Sequence, residues 1–250
     1  MQPILQVKNL EKVYGGKGNV SKALNGVTFN VDQGEYVGVM GASGSGKTSL
    51  LNCVSTIDSA TAGKIYIDGE DITALKGGQL ARFRSHKLGF IFQEYNLLDT
   101  LTAFENIALA LTIIKHSPKD VTRAVYAIAE KLSVTDILNK YPIQMSGGQR
   151  QRIASARAIV TDPSLVLADE PTGALDSKSA KALLESLRVM VNELRSTILM
   201  VTHDPFAASY CDRILFIRDG SIFTELIRGG DSRKDFFDKI IEVVAVLGGE

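Results

Sequence analysis

Eight consecutive residues, Gly41-Ala42-Ser43-Gly44-Ser45-Gly46-Lys47-Thr48, constrain this chain more than any other stretch. An apolar run, Tyr36–Met40, leads into them, and an apolar stretch, Ser49–Val54, follows. The order reads as strand, glycine loop, helix, at the spacing G-x-x-x-x-G-K-[ST] that cradles nucleotide phosphates. Glycines carry no Cβ, so successive backbone N–H groups can curl around phosphate oxygens. A helix starting near Gly46 points its positive end at the same anion. Lys47 is then placed to reach the β- and γ-phosphates, and the Thr48 hydroxyl to hold Mg²⁺. The competing reading is a glycine-rich turn without a ligand. The strand before the loop and the helix after it argue against that reading.

Two further stretches gain meaning from this loop. Ser164–Ala168 is an apolar strand that ends in two acids, Asp169 and Glu170. In a phosphate-loop fold a strand-end Asp supports Mg²⁺, which makes Asp169 the candidate. Glu170, one residue on, can polarise an attacking water as general base. An acidic pair after a strand says little alone, but it says much beside the loop. Met145-Ser146-Gly147-Gly148-Gln149 is the other stretch. Ser146 has the chemistry of a helix N-cap, and the two glycines expose backbone N–H groups, so this is a second anion-binding helix start. In isolation it would be an ordinary capped helix.

Composition narrows the class. Lys+Arg and Asp+Glu both number 28 in 250 residues, so the formal net charge is zero. A chain built to coat nucleic acid would carry a basic excess. No apolar run approaches the length of a transmembrane helix, and Met1-Gln2-Pro3-Ile4 lacks a charged-then-apolar leader. The expectation is a protein kept in the cytoplasm. Cys53 and Cys211 lie in apolar surroundings on separate elements, which predicts buried reduced thiols. Metal-ligand spacing is absent, and the three histidines are scattered.

The remaining pattern predicts strands over Ile4–Val7, Val27–Val31, Tyr36–Met40, Ile65–Ile67 and Leu88–Phe92. From Ala103 to Leu132 it turns helical, with a helix start at Ser117-Pro118 and Val121, Val125, Ile128 and Leu132 on one face. Helix Gly147–Val160, strand Leu165–Ala168, helix Ser177–Leu194 and strand Thr197–Val201 follow. Asp219-Gly220 between Arg213–Ile217 and Ser221–Thr224 predicts a hairpin. Ser232–Leu247 can form an amphipathic helix whose face, with Phe236, Phe237, Ile240, Val244 and Leu247, is expected to pack on the domain. Alternating strands and helices bracket a helical insert, which predicts an α/β fold with a mostly parallel core sheet.

Taken together in order, these stretches resemble the ATP-binding cassettes that drive ABC transporters, over nearly the whole chain. Tyr14 falls where that family stacks an aromatic on adenine. Gly41–Thr48 is the phosphate loop, and Gln93 matches the glutamine that touches Mg²⁺ and the attacking water. Ser146–Gln149 matches the LSGGQ signature, with Met145 in place of the usual Leu. Asp169 and Glu170 match the Walker B acids, Ala174-Leu175-Asp176 the D-loop, and His203 the switch histidine. The resemblance implies a P-loop ABC ATPase with a parallel core sheet, an antiparallel β subdomain and a helical subdomain at about 94–160. It further implies nucleotide contacts from Tyr14, Gly41, Ser43, Gly44, Gly46, Lys47, Thr48 and Ser49, and from Ser146, Gly147, Gly148, Gln149 and Asp176. Thr48, Gln93 and Asp169 are the implied Mg²⁺ set, and Glu170, His203 and Gln93 the implied catalytic set. In the family two cassettes pack head to tail, and each ATP lies between the phosphate loop of one and the signature of the other.

Within the family the likeness is to exporter-like cassettes of the macrolide, lipoprotein-release and cell-division type. Gly89–Gln93, Asn96-Leu97-Leu98, Leu101-Thr102, Glu105-Asn106 and Glu170–Gly173 carry it. More narrowly the chain is similar to Bce-type subunits that work against bacitracin and other cell-wall-active peptides. Tyr95–Thr102, Gly173–Ala180, Thr202–Pro205, Ala207–Cys211 and the Gly229-Gly230 to Phe236-Phe237 tail carry that narrower likeness. It implies ATP and Mg²⁺, a separate membrane permease with a large extracellular domain, a sensor histidine kinase reached through that permease, and a place on the cytoplasmic face of the membrane. Nucleic acid is not an expected partner. The alternatives are a lipoprotein-release or cell-division cassette, a soluble cassette acting on DNA or ribosomes, and a nucleoside-kinase-like enzyme. The last would leave Ser146–Gln149 without a purpose.

Overall fold

The computed structural model describes residues 3–16 and 19–248; the start of the chain read above for a leader, Met1-Gln2, lies outside them. A long antiparallel hairpin opens the fold, β1 (Leu5–Gly16) with β2 (Asn19–Val31). Next come β3 (Tyr36–Met40), α1 (Lys47–Val54), β4 (Ala62–Ile67) and the two-residue β5 (Glu70–Asp71). Then follow α2 (Gly78–Lys87), β6 (Leu88–Phe92), α3 (Ala103–Ile113), α4 (Pro118–Lys131) and α5 (Gly147–Ile159). The last third holds β7 (Leu165–Asp169), α6 (Ser177–Leu194), β8 (Ile198–Val201), α7 (Pro205–Ala208), β9 (Arg213–Arg218), β10 (Ser221–Ile227) and α8 (Arg233–Gly248). No helix among the described residues is long and apolar enough to cross a membrane.

Two sheets result. One has the order β2-β1-β4-β5 and is antiparallel. The other has the order β10-β9-β3-β8-β7-β6, parallel throughout except for the β9–β10 hairpin at its edge. Side chains alternate across a strand, and the parallel sheet buries both faces. Val37, Val39, Leu165, Leu167, Leu199 and Val201 face the antiparallel sheet and α1. Tyr36, Met40, Val166, Ala168, Ile198 and Met200 face the helices. Gly38 belongs to that second face. A Cβ there would come within 2.6 Å of Ile214 Cδ1 and 3.0 Å of Cys211 Sγ.

The helices follow their local chemistry. The α4 helix starts on the Ser117 cap with Pro118 in its first turn, and buries Val121, Val125 and Ile128. In α6 the Asp176 cap precedes Leu183, Leu184, Leu187, Met190 and Val191, all buried at helical spacing. The α3 and α4 helices pack on α5, so a helical layer lies beside the edge strand β6. Phe236 and Ile240 are fully buried, which seats α8 on the domain as its amphipathic pattern predicts. Cys53 and Cys211 are buried free thiols; burial pushes the Cys53 thiol up to about 11.

Candidate functional site

The register of the parallel sheet assembles the site. Val39 pairs with Val201, Asp169 with Val201, and Phe92 with Asp169. Four strands therefore end side by side, and the residues just beyond them are Gly41, His203, Glu170 and Gln93. This is the carboxyl edge of an open α/β sheet, where such folds hold their ligands.

Each glycine of the loop after β3 has its own reason. A Cβ on Gly41 would lie 2.2 Å from the Ile217 carbonyl, and one on Gly46 would lie 2.4 Å from the Ala23 carbonyl. Gly46 also caps α1 at φ 109, and Gly44 turns at φ 78, a region open to glycine and costly for other residues. The chain thus folds tightly against β2 and β9. The first amides of α1 have no intrahelical acceptor. Ser45 Oγ is buried without a partner.

Lys47 is buried and donates to the Gly41 and Ala42 carbonyls, at 2.9 Å each. Burial lowers its pKa below the ordinary lysine value, against the pull of Glu170 and Asp169. Burial raises the Asp169 pKa, the Glu170 charge raises it further, and Lys47 opposes both. Glu170 sits in the left-handed region at φ 44, a conformation that costs a non-glycine residue energy and recurs at functional sites. Its Oε1 lies 2.8 Å from His203 Nδ1. Its Oε2 accepts from Thr202 Oγ1 at 3.2 Å and from the His203 amide at 3.3 Å. The His203 ring is 71% exposed while Glu170 is 19% exposed, so the histidine reaches outward from a seated carboxylate.

Gly41, Ser43, Gly44, Lys47, Thr48, Glu170 and His203 share one cavity of about 540 Å³. Its remaining wall includes Val244, Leu247 and Gly248 from the end of α8, a contribution the amphipathic pattern did not signal. Ser49 stands one residue into α1 from Thr48, and Asp169 and Gln93 join the same edge through the register. Gln93 lies against Gly173, where a Cβ would come within 3.0 Å of its amide.

Ser146, Gly147, Gly148 and Gln149 are not among the walls of this cavity. They start α5 as a reciprocal cap. Ser146 Oγ accepts from the Gln149 amide at 3.2 Å, and Gln149 Oε1 accepts from the Ser146 amide at 2.9 Å. Asp176 caps α6 in turn, accepting from the Ser179 amide at 2.9 Å and its hydroxyl at 2.8 Å. These bonds hold the Asp176 pKa below the usual carboxylate value. The two helix starts meet, since a Cβ on Gly148 would lie 3.1 Å from Ser179 Oγ. Tyr14 lies near the end of β1, half-exposed and outside the cavity walls.

Buried connections that sequence reasoning missed hold these parts in place. Gln151, fully buried, donates to the Phe92 and Pro171 carbonyls at 3.1 and 3.0 Å. It thereby ties α5 to the strand end before Gln93 and to the loop after Glu170. Arg157 donates to the Tyr95 carbonyl at 2.9 Å and to the Asn96 carbonyl at 2.5 Å. Asn106 braces the next turn through Leu98 and Leu101. Polar residues on a helix carry no such signal until the partner carbonyls are known. A second cavity, apolar and about 440 Å³, opens between α2, β6, α3 and α5, with Leu88, Phe90, Phe92, Leu109, Ile113 and Arg157 among its walls.

Comparison with known proteins places this geometry in context. The family profile described as ABC transporter matches residues 24–173. The bacitracin export ATP-binding protein BceA of Halalkalibacterium halodurans is 52% identical over 246 residues, 98% of this chain and 97% of that protein. The ABC transporter ATP-binding protein YxdL of Bacillus subtilis is 50% identical over 250 residues, 100% of this chain and 96% of that protein. Among solved structures, the dimeric post-hydrolysis state of the cassette MJ0796 bound to ADP and Pi superposes with a TM-score of 0.80. That match is 36% identical and covers 90% of this chain and 99% of the other; MJ0796 comes from Methanocaldococcus jannaschii.

Proposed function

The chain belongs to the ABC transporter family as its ATP-hydrolysing subunit, and from that membership we propose that it powers a membrane transporter conferring resistance to bacitracin-like, cell-wall-active peptides. The carboxyl edge that gathers Lys47, Thr48, Gln93, Asp169, Glu170 and His203 supports the chemistry. Identity of 52% and 50% along essentially the whole chain, with a bacitracin export subunit and a related transporter subunit, supports the cargo class.

The donor set fits Mg²⁺. A hydroxyl, an amide oxygen and one carboxylate are hard oxygen ligands, and Mg²⁺ takes few protein ligands when substrate phosphates supply the rest. Consistent with that, no cluster of three His, Cys, Asp or Glu among the described residues could hold a metal alone. Thr48, Asp169 and Gln93 would hold the ion, which would supply positive charge to offset that of the β- and γ-phosphates. Lys47 exchanges its loop carbonyls for phosphate oxygens. Glu170 accepts a proton from the attacking water, whose oxygen bonds to the γ-phosphorus as the bond to ADP breaks. His203 holds Glu170 in place and reaches the γ-phosphate from the exposed side.

Ser146 and Gly148 lie outside the cavity that holds Lys47 in their own chain. They meet nucleotide across a two-fold dimer with a second copy, where the γ-phosphate sits between two positive helix ends. A permease segment docks in the apolar cavity beside β6, and Arg157 relays its position to the loop after Gln93. The permease carries a large extracellular domain and engages a sensor histidine kinase, and the cassette sits on the cytoplasmic face of the membrane.

The test is co-purification. Tagged Glu170→Gln protein binds ATP, hardly hydrolyses it, and is recovered from solubilised membranes in Mg-ATP with a long permease bearing a large extracellular insertion. A short permease moves the assignment to lipoprotein release or cell division, and near-normal turnover removes Glu170 from its role.

A further inference from the structure

One charged pair by the turn after α1, Lys12 with Asp58, has no part in the mechanism above. Lys12 and Tyr14 stand two positions apart near the end of β1. The Lys12 ammonium lies 4.7 Å from the centre of the Tyr14 ring. It donates to Asp58 Oδ1 at 2.6 Å and to the Ser59 carbonyl at 2.8 Å. The Tyr14 hydroxyl lies near Ser49 and Asp58. Ser49 directly follows Thr48, so the ring lies near the first turn of α1.

The surroundings fix this arrangement. The Asp58 amide donates to the Asn52 carbonyl at 3.0 Å, which holds the turn after α1. The Thr61 amide donates to the Glu11 carbonyl at 2.8 Å, and the Val13 amide to Thr61 Oγ1 at 3.0 Å, which holds β1 against it. Lys12 is 8% exposed and Tyr14 is 39% exposed. One face of the ring is therefore covered by an ammonium, and part of the side chain stays exposed. Burial works against the Lys12 charge, but the hydrogen bond and charge of Asp58 raise its pKa overall, so the ammonium stays protonated. A cation held over an aromatic face is attracted to it and makes a stable backing.

We propose that Lys12 and Asp58 are positioning residues for the nucleotide base. Asp58 clamps the Lys12 ammonium to the inner face of Tyr14, so the ring offers only its outer face, at a set distance from the phosphate loop, to a purine. Free rotation of an unbacked tyrosine would dilute that stacking geometry. The inference rests on the reading that Tyr14 stacks on the base.

Calorimetric titration of the purified full chain with ATP and, separately, with inorganic tripolyphosphate tests it. Tripolyphosphate engages the loop and has no base. Tyr14→Ala weakens ATP on the order of tenfold and leaves tripolyphosphate unchanged. Lys12→Met weakens ATP about three- to fivefold and also leaves tripolyphosphate unchanged. Asp58→Asn, nearly isosteric, does the same and serves where Lys12→Met fails to fold. Lys12→Arg retains most of the ATP affinity, because a guanidinium also pairs with a carboxylate and stacks. Equal losses for both ligands in the Lys12 and Asp58 variants overturn the proposal, since the pair would then be holding the loop. An unaltered ATP affinity in those variants, beside a selective loss in Tyr14→Ala, overturns the proposal and spares the stacking reading. No selective loss in Tyr14→Ala overturns both.

Discussion

Asp169 shows how a single residue sets function against stability. Its carboxylate is pressed into a half-buried position beside a second carboxylate, and its pKa is raised by burial first and by Glu170 second. A raised carboxylate pKa means the folded chain holds its proton more tightly than the unfolded chain does. The resulting cost is absent below the unfolded value near 3.8, appears as pH rises, and is fully present above the folded value. Asp169→Asn removes it. The nucleotide-free variant is expected to be more stable than wild type at neutral pH. The advantage shrinks below pH ~4. Mg-dependent ATP hydrolysis falls together with that gain. Melting temperatures of both proteins across pH 3–8 check the sign, and a variant less stable than wild type at pH 7 would refute it.

At the scale of elements, Gln151 carries the tightest constraint outside the loop. Its amide bridges two carbonyls, at the end of β6 and just after Glu170, from the same end of α5 that Ser146 caps. Gln151→Ala leaves the Pro171 carbonyl without its donor, while the Phe92 carbonyl keeps the Tyr95 amide at 3.3 Å, at a cost of about 1–3 kcal/mol. It also loosens Gln93 relative to Glu170, so kcat should fall while nucleotide affinity holds. Denaturant melts and steady-state kinetics measure the two effects, and an unchanged kcat would show that the bridge is only structural. The chain announced some elements fully. Tyr36–Met40, the loop, α1 and Ser177–Leu194 were legible because apolar spacing, cap and glycine chemistry agree within a short window. The first hairpin was read too short, because β1 changes register between Val7 and Val13 and its alternation breaks there. The α2 helix was missed because it buries Phe83 alone in a polar stretch. The candidate nucleotide and Mg²⁺ residues were visible as motifs. Gln151, Arg157 and the Lys12–Asp58 pair were not, since each is defined by a partner far away in sequence.

For the molecule as a whole, the question is where the second half of the site comes from. The cavity gathers Lys47, Thr48, Glu170 and His203 but none of Ser146–Gln149, which start a helix elsewhere on the surface with Ser146 exposed. If each ATP is completed by a second copy, a chain damaged at Lys47 and a chain damaged at Ser146 fail for different reasons. Lys47→Ala loses the ammonium that meets the phosphates. Ser146→Arg places a long cation at the helix start that must face the partner's nucleotide, while its own phosphate loop is untouched. Alone, each should hydrolyse ATP at background rate, and only Ser146→Arg should still bind ATP as a monomer. Mixed in equal amounts, random pairing gives mixed dimers in which one of the two sites has both an intact Lys47 and an intact Ser146. About one quarter of all sites are then whole, and phosphate release should rise well above the sum of the separate proteins. A cassette that completes its site within one chain would show no such gain, because no mixed dimer could repair either defect. Loss of ATP binding in Ser146→Arg alone would carry the same message, since the signature would then belong to its own loop.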